Sequence, residues 1–503
     1  MLAKILTPAF SGIDVIKVSV EVMISSGLPK FAIVGLPDKA ISEAKERIQS
    51  AFSAMGFSLP AKRIIVNLAP ADVVKEGSHF DLPIAVAILT ALNVIDANEV
   101  QNYMILGELG LDGTIKSVNG ILPTAVAANA LGLGVICPES QVSEALWAGN
   151  KMVLGPENLI SLINHFKGNQ IIDNVSTPPK FEEHYTVDMS DIKGQEMARK
   201  ALEIAAVGGH HLLMIGPPGV GKSMLASRLP TILPPMTAKE ALEISTIKSV
   251  AGELGENGLS IIRPFRSPHH TASQVALTGG GLHAKPGEVS LAHNGILFLD
   301  ELPEFSSQAL DSLRQPLETG VVSVARANGH ITYPAKFQLV AAMNPCKCGH
   351  FGEPDCECSL APLCAQKYQN RISGPLYDRI DLTVGVESIN PWELSSLKPS
   401  ESSAVVKERV IKARKFQNDR LKKIYGCDME KVNALLSGTE IENSAMLTEE
   451  AKTLLTKSAE KLKLSARAYY KTMRVARTVA DMDFRDKVLP SDISMALNFR
   501  RKV

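Results

Sequence analysis

The sequence predicts an α/β protein in three parts, and three observations carry that prediction. Residues 1–168 alternate β-branched runs with helical patterns; a second α/β pattern opens near Met189 and runs to about Ser395; from about Ser402 the periodicity is helical with no strand signal. A chain of 503 residues is too long for one hydrophobic core and suits about three domains. The expected boundaries are 1–168, a linker at 169–188, a central domain at 189–395 and a helical domain at 396–503.

In the first part, Arg63-Ile64-Ile65-Val66-Asn67-Leu68 reads as a strand and Leu82 to Leu92 as a helix. The stretch GNQIIDNVSTPPKFEEH, with Pro178-Pro179, has the composition of a connector, and Pro490 is placed to start the last helix. There is no internal repeat and no low-complexity tract.

Hydrophobic residues make up 45% and charged residues 21% of the chain, which is ordinary for a soluble globular protein. No apolar run approaches the ~20 residues needed to span a bilayer. The opening MLAKILTPAFSGIDVIKV is interrupted by Pro8, Gly12 and Asp14, which argues against a secretory signal and for a first strand in a cytoplasmic protein. Lys plus Arg equals Asp plus Glu at 53 each, so no overall field draws the molecule onto nucleic acid. The region from 401 onward carries a net +8 and the first 400 residues −8, so any polyanion contact is local; a solvated Lys-rich helical surface accounts for the excess nearly as well.

The central part carries the chemistry. The strand His211-Leu212-Leu213-Met214-Ile215 runs directly into Gly216-Pro217-Pro218-Gly219-Val220-Gly221-Lys222-Ser223, the pattern GxxxxGK[ST] of a phosphate-binding P-loop. Its glycines let backbone N–H groups and the following helix N-terminus face a nucleotide phosphate. Lys222 is suited to the β- and γ-phosphates of ATP and the Ser223 hydroxyl to Mg²⁺. A second apolar strand, Ile296-Leu297-Phe298-Leu299, ends in Asp300 and Glu301, suited to the Mg²⁺ shell and to polarising the attacking water. A third, Phe337 to Met343, leads into Asn344, whose amide is placed to orient that water.

Five of the seven cysteines lie between Cys346 and Cys364. Cys346-Lys347-Cys348 and Cys356-Glu357-Cys358 form two CxC pairs with Gly349 and Gly352 between them, and four thiolates at that spacing fit one tetrahedral Zn²⁺. Cys364 is a fifth thiol. Reduced cysteines without a metal are the other reading.

The runs RPFRSPHHTASQVALTGGG, PGEVSLAHNGILFLDELPEF, NPCKCGHFG and RISGPLYDRIDL closely resemble the YifB/ComM family of magnesium-chelatase-like AAA+ ATPases, and the resemblance spans essentially the whole chain. It implies an AAA+ P-loop core followed by a helical lid, and a hexameric helicase that drives branch migration of recombination intermediates in natural transformation. By resemblance, Arg379 matches the arginine finger that reaches a neighbouring subunit's phosphate, with Arg371 a second candidate. Arg467 matches the lid arginine called sensor 2, and Gln195 sits where this class approaches adenine. Structural ion pairs are the alternative for the arginines. The stretches 322–327 and 330–333 alternate around Asn328-Gly329, a hairpin signal, and resemble the pore hairpin of related helicases; Arg326 and His330 flank its tip and are the expected DNA contacts. His269 and His270, in an insertion from about Pro264 to Ser290, are either metal ligands or, as is commoner for such a pair in a polar loop, exposed or hydrogen-bonded.

Residues 66–125 resemble the Lon protease-like (S5 domain 2-like) domain, whose activity needs a Ser–Lys dyad. His79, in Glu76-Gly77-Ser78-His79, stands at the nucleophile position and Leu122 at that of the lysine. With no amine to activate a hydroxyl, a scaffolding or DNA-contacting role is implied. Two other functions remain in view: the ATPase motor of a magnesium-chelatase-type metal-insertion complex and, disfavoured by Leu122, an ATP-dependent protease.

Overall fold

The computed structural model describes residues 2–172, 185–254, 259–281, 284–326, 329–349, 351, 362–388, 392, 400–429 and 431–500. Most of the expected linker therefore falls outside the described residues. The chain divides into two compact units, residues 1–182 with 237–261, and residues 183–236 with 262–503.

The first unit is built on a seven-stranded mixed sheet in the order Lys30–Val34, Arg63–Ala69, Asp14–Ser25, Leu2–Ser11, Tyr103–Ile105, Gly134–Ile136 and Val153–Leu154. The N-terminal segment is a strand, as expected, paired antiparallel along its length with Asp14–Ser25. Alternation in that partner puts Val18, Val20 and Val22 into the core, where they meet the helix Asp81–Ala91, buried along its whole length.

Residues 237–261 depart from the sequence order, which runs them inside the central domain. The helix Ala238–Ala251 packs instead on the helix Ile121–Ala130 of the first unit. Its Ala241, Ile244 and Ile247 are buried, and Ser249 Oγ donates to Glu144 Oε1 at 2.5 Å. A helix settles where its apolar residues find cover and its polar ones find partners, and that site is distant in sequence.

The second unit has a five-stranded, all-parallel sheet in the order Phe265–Arg266, Ile296–Leu299, Gln338–Met343, Leu212–Ile215 and Leu382–Gly385. The expected helical domain does not cluster apart from it. Ser403–Tyr425 packs on Glu196–Gly208 and Lys222–Ile232, and Ala466–Met482 packs on Glu196–Gly208, so one hydrophobic core joins Leu202, Leu212 and Leu225 to Val410, Val479 and Ile493. Buried arginines fix the helices to one another. Asp481, fully buried, accepts hydrogen bonds from Arg420 at 3.1 Å, from Arg477 at 3.1 Å and from Asn433 at 2.8 Å.

Candidate functional site

Parallel strands bring their C-terminal ends to one edge, so turns that follow neighbouring strands meet there. The P-loop follows Leu212–Ile215, Asn344 follows the adjacent Gln338–Met343, and Asp300-Glu301 follow the next strand, Ile296–Leu299. Gly221, at φ +88°, turns the loop into the helix Lys222–Ile232, a conformation that a side chain would resist.

Lys222 is 8% exposed and folds back on its own loop, donating to the carbonyl oxygens of Gly216 and Pro217, each at 2.7 Å, and to Asn344 Oδ1 at 3.0 Å. Burial lowers its pKa, while Asp300 and Glu301 oppose that shift. Ser223 Oγ donates to Asp300 Oδ2 at 2.7 Å, and Asp300 Oδ1 accepts the Glu301 amide at 2.9 Å. Two hard oxygens thus stand side by side beside a lysine, a donor set suited to Mg²⁺ with a nucleotide phosphate. Glu301 adopts φ +50° and leads into a short 3₁₀ turn, Leu302–Glu304. Gln195, also left-handed at φ +54°, donates through Nε2 to Glu387 O at 2.7 Å at the same end of the sheet. Non-glycine residues in this region are uncommon and tend to mark functional sites.

His270 Nδ1 lies 3.1 Å from Glu301 Oε2, and the His269 ring packs against it at 4.1 Å. The histidine pair is thereby joined to the candidate nucleotide site. Each candidate arginine is held by a glutamate of its own chain: Arg371 by Glu304 at 2.9 Å, and Arg379 and Arg467 together by Glu318. Glu304 lies one turn past Glu301 and is foreshadowed by that spacing; nothing in the sequence around Glu318 points to it.

Three cysteine sulfurs, of Cys346, Cys348 and Cys364, lie within 4.8 Å of one another. The CxC spacing leaves Cys364 aside, yet the start of the helix Leu363–Gln369 carries it in. Cys356 and Cys358 lie outside the described residues. The cysteine loop touches the P-loop: Gly349, at φ +88°, approaches Pro218 so closely that a Cβ would sit 2.7 Å from its Cδ.

The hairpin forms from Val321–Arg326 and Gly329–Pro334, but its register differs from the sequence expectation. Arg326 pairs with Gly329, so Gly329 is already in the strand rather than in the connecting turn. Val322 lies opposite Tyr333 and Val324 opposite Ile331, all four buried on one face of the hairpin. His330 is exposed; only the backbone of Arg326 is described.

Family models match along the chain: "Magnesium chelatase, subunit ChlI" over residues 188–394, "Subunit ChlI of Mg-chelatase" over 20–141, and "Magnesium chelatase, subunit ChlI C-terminal" over 400–500. The competence protein ComM of Haemophilus influenzae is 42% identical over 100% of this chain and 98% of its own. This chain belongs to the YifB/ComM family of magnesium-chelatase-like AAA+ proteins. The uncharacterized protein YifB of Escherichia coli, 41% identical, covers 98% of the chain and 96% of its own length. The chloroplastic magnesium-chelatase subunit ChlI of Nicotiana tabacum is 25% identical over 44% of the chain and 46% of its own. YifB/ComM membership implies an ATPase, in keeping with the P-loop, Asp300 and Asn344 on adjacent strand ends.

In the first unit, His79 is a packing residue. Its Nε2 bonds Pro8 O at 3.0 Å, and its ring sits 5.5 Å from that of Phe10 and 4.3 Å from that of Phe80. Leu122 is fully buried and its amide donates to Glu144 Oε1 at 2.9 Å.

Proposed function

We propose that this YifB/ComM-family protein is an ATP-driven DNA translocase that assembles as a hexameric ring in the cytoplasm and promotes branch migration of recombination intermediates in natural transformation. The end-to-end identity to a competence protein supports this reading most; the relative named for magnesium chelatase covers less than half of the chain. No described helix is long and apolar enough to cross a membrane.

In this reading ATP supplies the cleavable phosphate bond and Mg²⁺ neutralises its charge. Lys222 exchanges its carbonyl partners for phosphate oxygens, and Ser223 and Asp300 hold the cation. Glu301 leaves His270 to polarise water, with Asn344 orienting it. Arg467 contacts phosphate in its own subunit, Arg379 in the neighbour, with Arg371 in support, and Gln195 lies toward the base. The P-loop residues Gly216 to Gly221 supply the backbone cradle. Arg326 and His330 contact the DNA strand. Cys346, Cys348 and Cys364 would supply thiolates for a structural Zn²⁺, with Cys356 and Cys358 further candidates, and would thereby hold together the loop that meets Pro218. The first unit is a Lon protease-like domain without its dyad, serving as scaffold.

A synthetic four-way junction tests the proposal. Wild type should migrate it only with ATP, and Lys222→Ala should not. DNA affinity should fall steeply with salt, because each neutralised phosphate releases counterions. A protein that neither binds DNA at low salt nor moves a junction would overturn the reading in favour of a chelatase-type motor.

A further inference from the structure

Two guanidiniums converge on one carboxylate oxygen. Arg379 and Arg467 both donate through Nη2 to Glu318 Oε1, the second at 3.3 Å. The Arg379 side chain is only 8% exposed, its Nη1 donates to Pro375 O at 2.5 Å, and its Nε is buried with no acceptor among the described residues. Burial lowers the Arg379 pKa; Glu318 opposes this, while Arg467 and Arg314 push it further down. Arg467 likewise depresses Lys471 and Arg474, both lowered first by burial, and Arg474 Nε is also buried without an acceptor among the described residues. Two guanidiniums thus share one half-exposed carboxylate, and the Nε of Arg379 stays buried without an acceptor among the described residues.

Glu318 is also at the base of the hairpin. It lies in the last turn of the helix Arg314–Thr319, and the chain passes through Gly320 into Val321–Arg326. Thr319 Oγ1 accepts the Val321 amide at 3.3 Å, and the Ala335 amide donates to Gly320 O at 2.8 Å, which ties the far strand to the same point. A shift of the helix end is therefore a shift of the hairpin base.

We propose that Glu318 is a positioning residue that holds Arg379 and Arg467 until phosphate oxygens take them, Arg467 in its own subunit and Arg379 in the neighbour, and that passes that exchange to the hairpin. The proposal rests on the reading of those two arginines as phosphate ligands. A terminal phosphate carries more charge than a carboxylate and offers three acceptors, so it outcompetes Glu318 once within reach. Had Glu318 been an ordinary surface partner, its removal would change little.

The test titrates the full-length protein with a non-hydrolysable ATP analogue in the absence of DNA. Glu318→Gln should tighten Kd about fivefold, the upper worth of an exposed pair expressed as a ratio. Glu318→Asp should stay near wild type, and Glu318→Gln should add nothing when Arg379→Ala and Arg467→Ala are combined. In steady-state hydrolysis, Glu318→Gln should also lose stimulation by single-stranded DNA. An unchanged Kd for Glu318→Gln, in protein with a wild-type urea midpoint, overturns the proposal, as does equal tightening when both arginines are replaced by alanine. If wild type shows no DNA stimulation at all, the translocase reading fails, and the DNA-free Kd still decides the role of Glu318.

Discussion

Replacing Asp481 by Asn should cost the second unit about 3 kcal/mol of stability. Asp481 is the only carboxylate bonded to two buried guanidiniums, Arg420 at 4% and Arg477 at 0% exposure, among the described residues. Breaking a buried ion pair from one side costs about 3–5 kcal/mol, because the stranded charge is not rehydrated. Here two charges are stranded, which argues for the upper end. Against that, Arg477 keeps the carbonyls of Ala445, at 3.0 Å, and Asp486, at 2.7 Å, while Arg420 keeps Ser444 O at 2.8 Å and Asn433 Oδ1 at 3.0 Å. The lower end is therefore expected. Urea titration followed by circular dichroism, with limited proteolysis to assign the units, gives the midpoint. The second unit's transition should move to lower urea while the first unit's stays in place. A shift worth less than about 1 kcal/mol would refute the claim that this charge is held without water, since exposed pairs are worth that little.

Lys222→Ala should abolish hydrolysis, whereas Glu301→Gln should bind ATP and retain it unhydrolysed, as filter binding and phosphate release can show; wild-type turnover in either would sink the site assignment. Arg379→Ala subunits should be inactive alone and regain activity when mixed with Lys222→Ala subunits, since a finger acts across a subunit boundary; no recovery would place Arg379 within its own subunit's structure. Metal analysis of protein purified without added metal should find about one zinc per chain, and Cys364→Ser should reduce it; a value of zero ends the zinc reading. Burial lowers the His79 pKa from 6.5 to about 4. The unfolded chain then takes the proton first as pH falls, so this contribution is complete above pH ~6.5 and lost progressively toward pH ~4, by about 3 kcal/mol. His79→Phe should flatten that part of the first unit's stability profile relative to wild type, and parallel profiles would show that His79 is not buried neutral.

The candidate nucleotide site was legible because its parts are local. A strand, a glycine-rich turn and a helix start in Leu212 to Ser223 declare a phosphate cradle within a dozen residues, and Asp300, Glu301 and Asn344 each end an apolar run whose strand identity follows from composition. Hairpin existence was legible for the same reason. Its register was not: Asn328-Gly329 favours a turn at those two residues, yet Arg326 pairs with Gly329, and the two registers differ by two in the pairing, so apolar alternation reads the same in both.

By itself, then, the sequence determined the P-loop, the acidic strand end, Asn344, a hairpin and the family. Tertiary structure alone decided that residues 237–261 belong with the first unit, that the C-terminal helices share the core of the P-loop sheet, that Cys364 joins Cys346 and Cys348, that His270 reaches Glu301, and that Glu318 gathers Arg379 and Arg467. The physical reason is the range of the forces. Backbone propensity and apolar periodicity act over a few residues and leave their mark in local order. The pairing of charges and thiols separated by tens of residues along the chain follows only from how sheet order and helix packing place them in space.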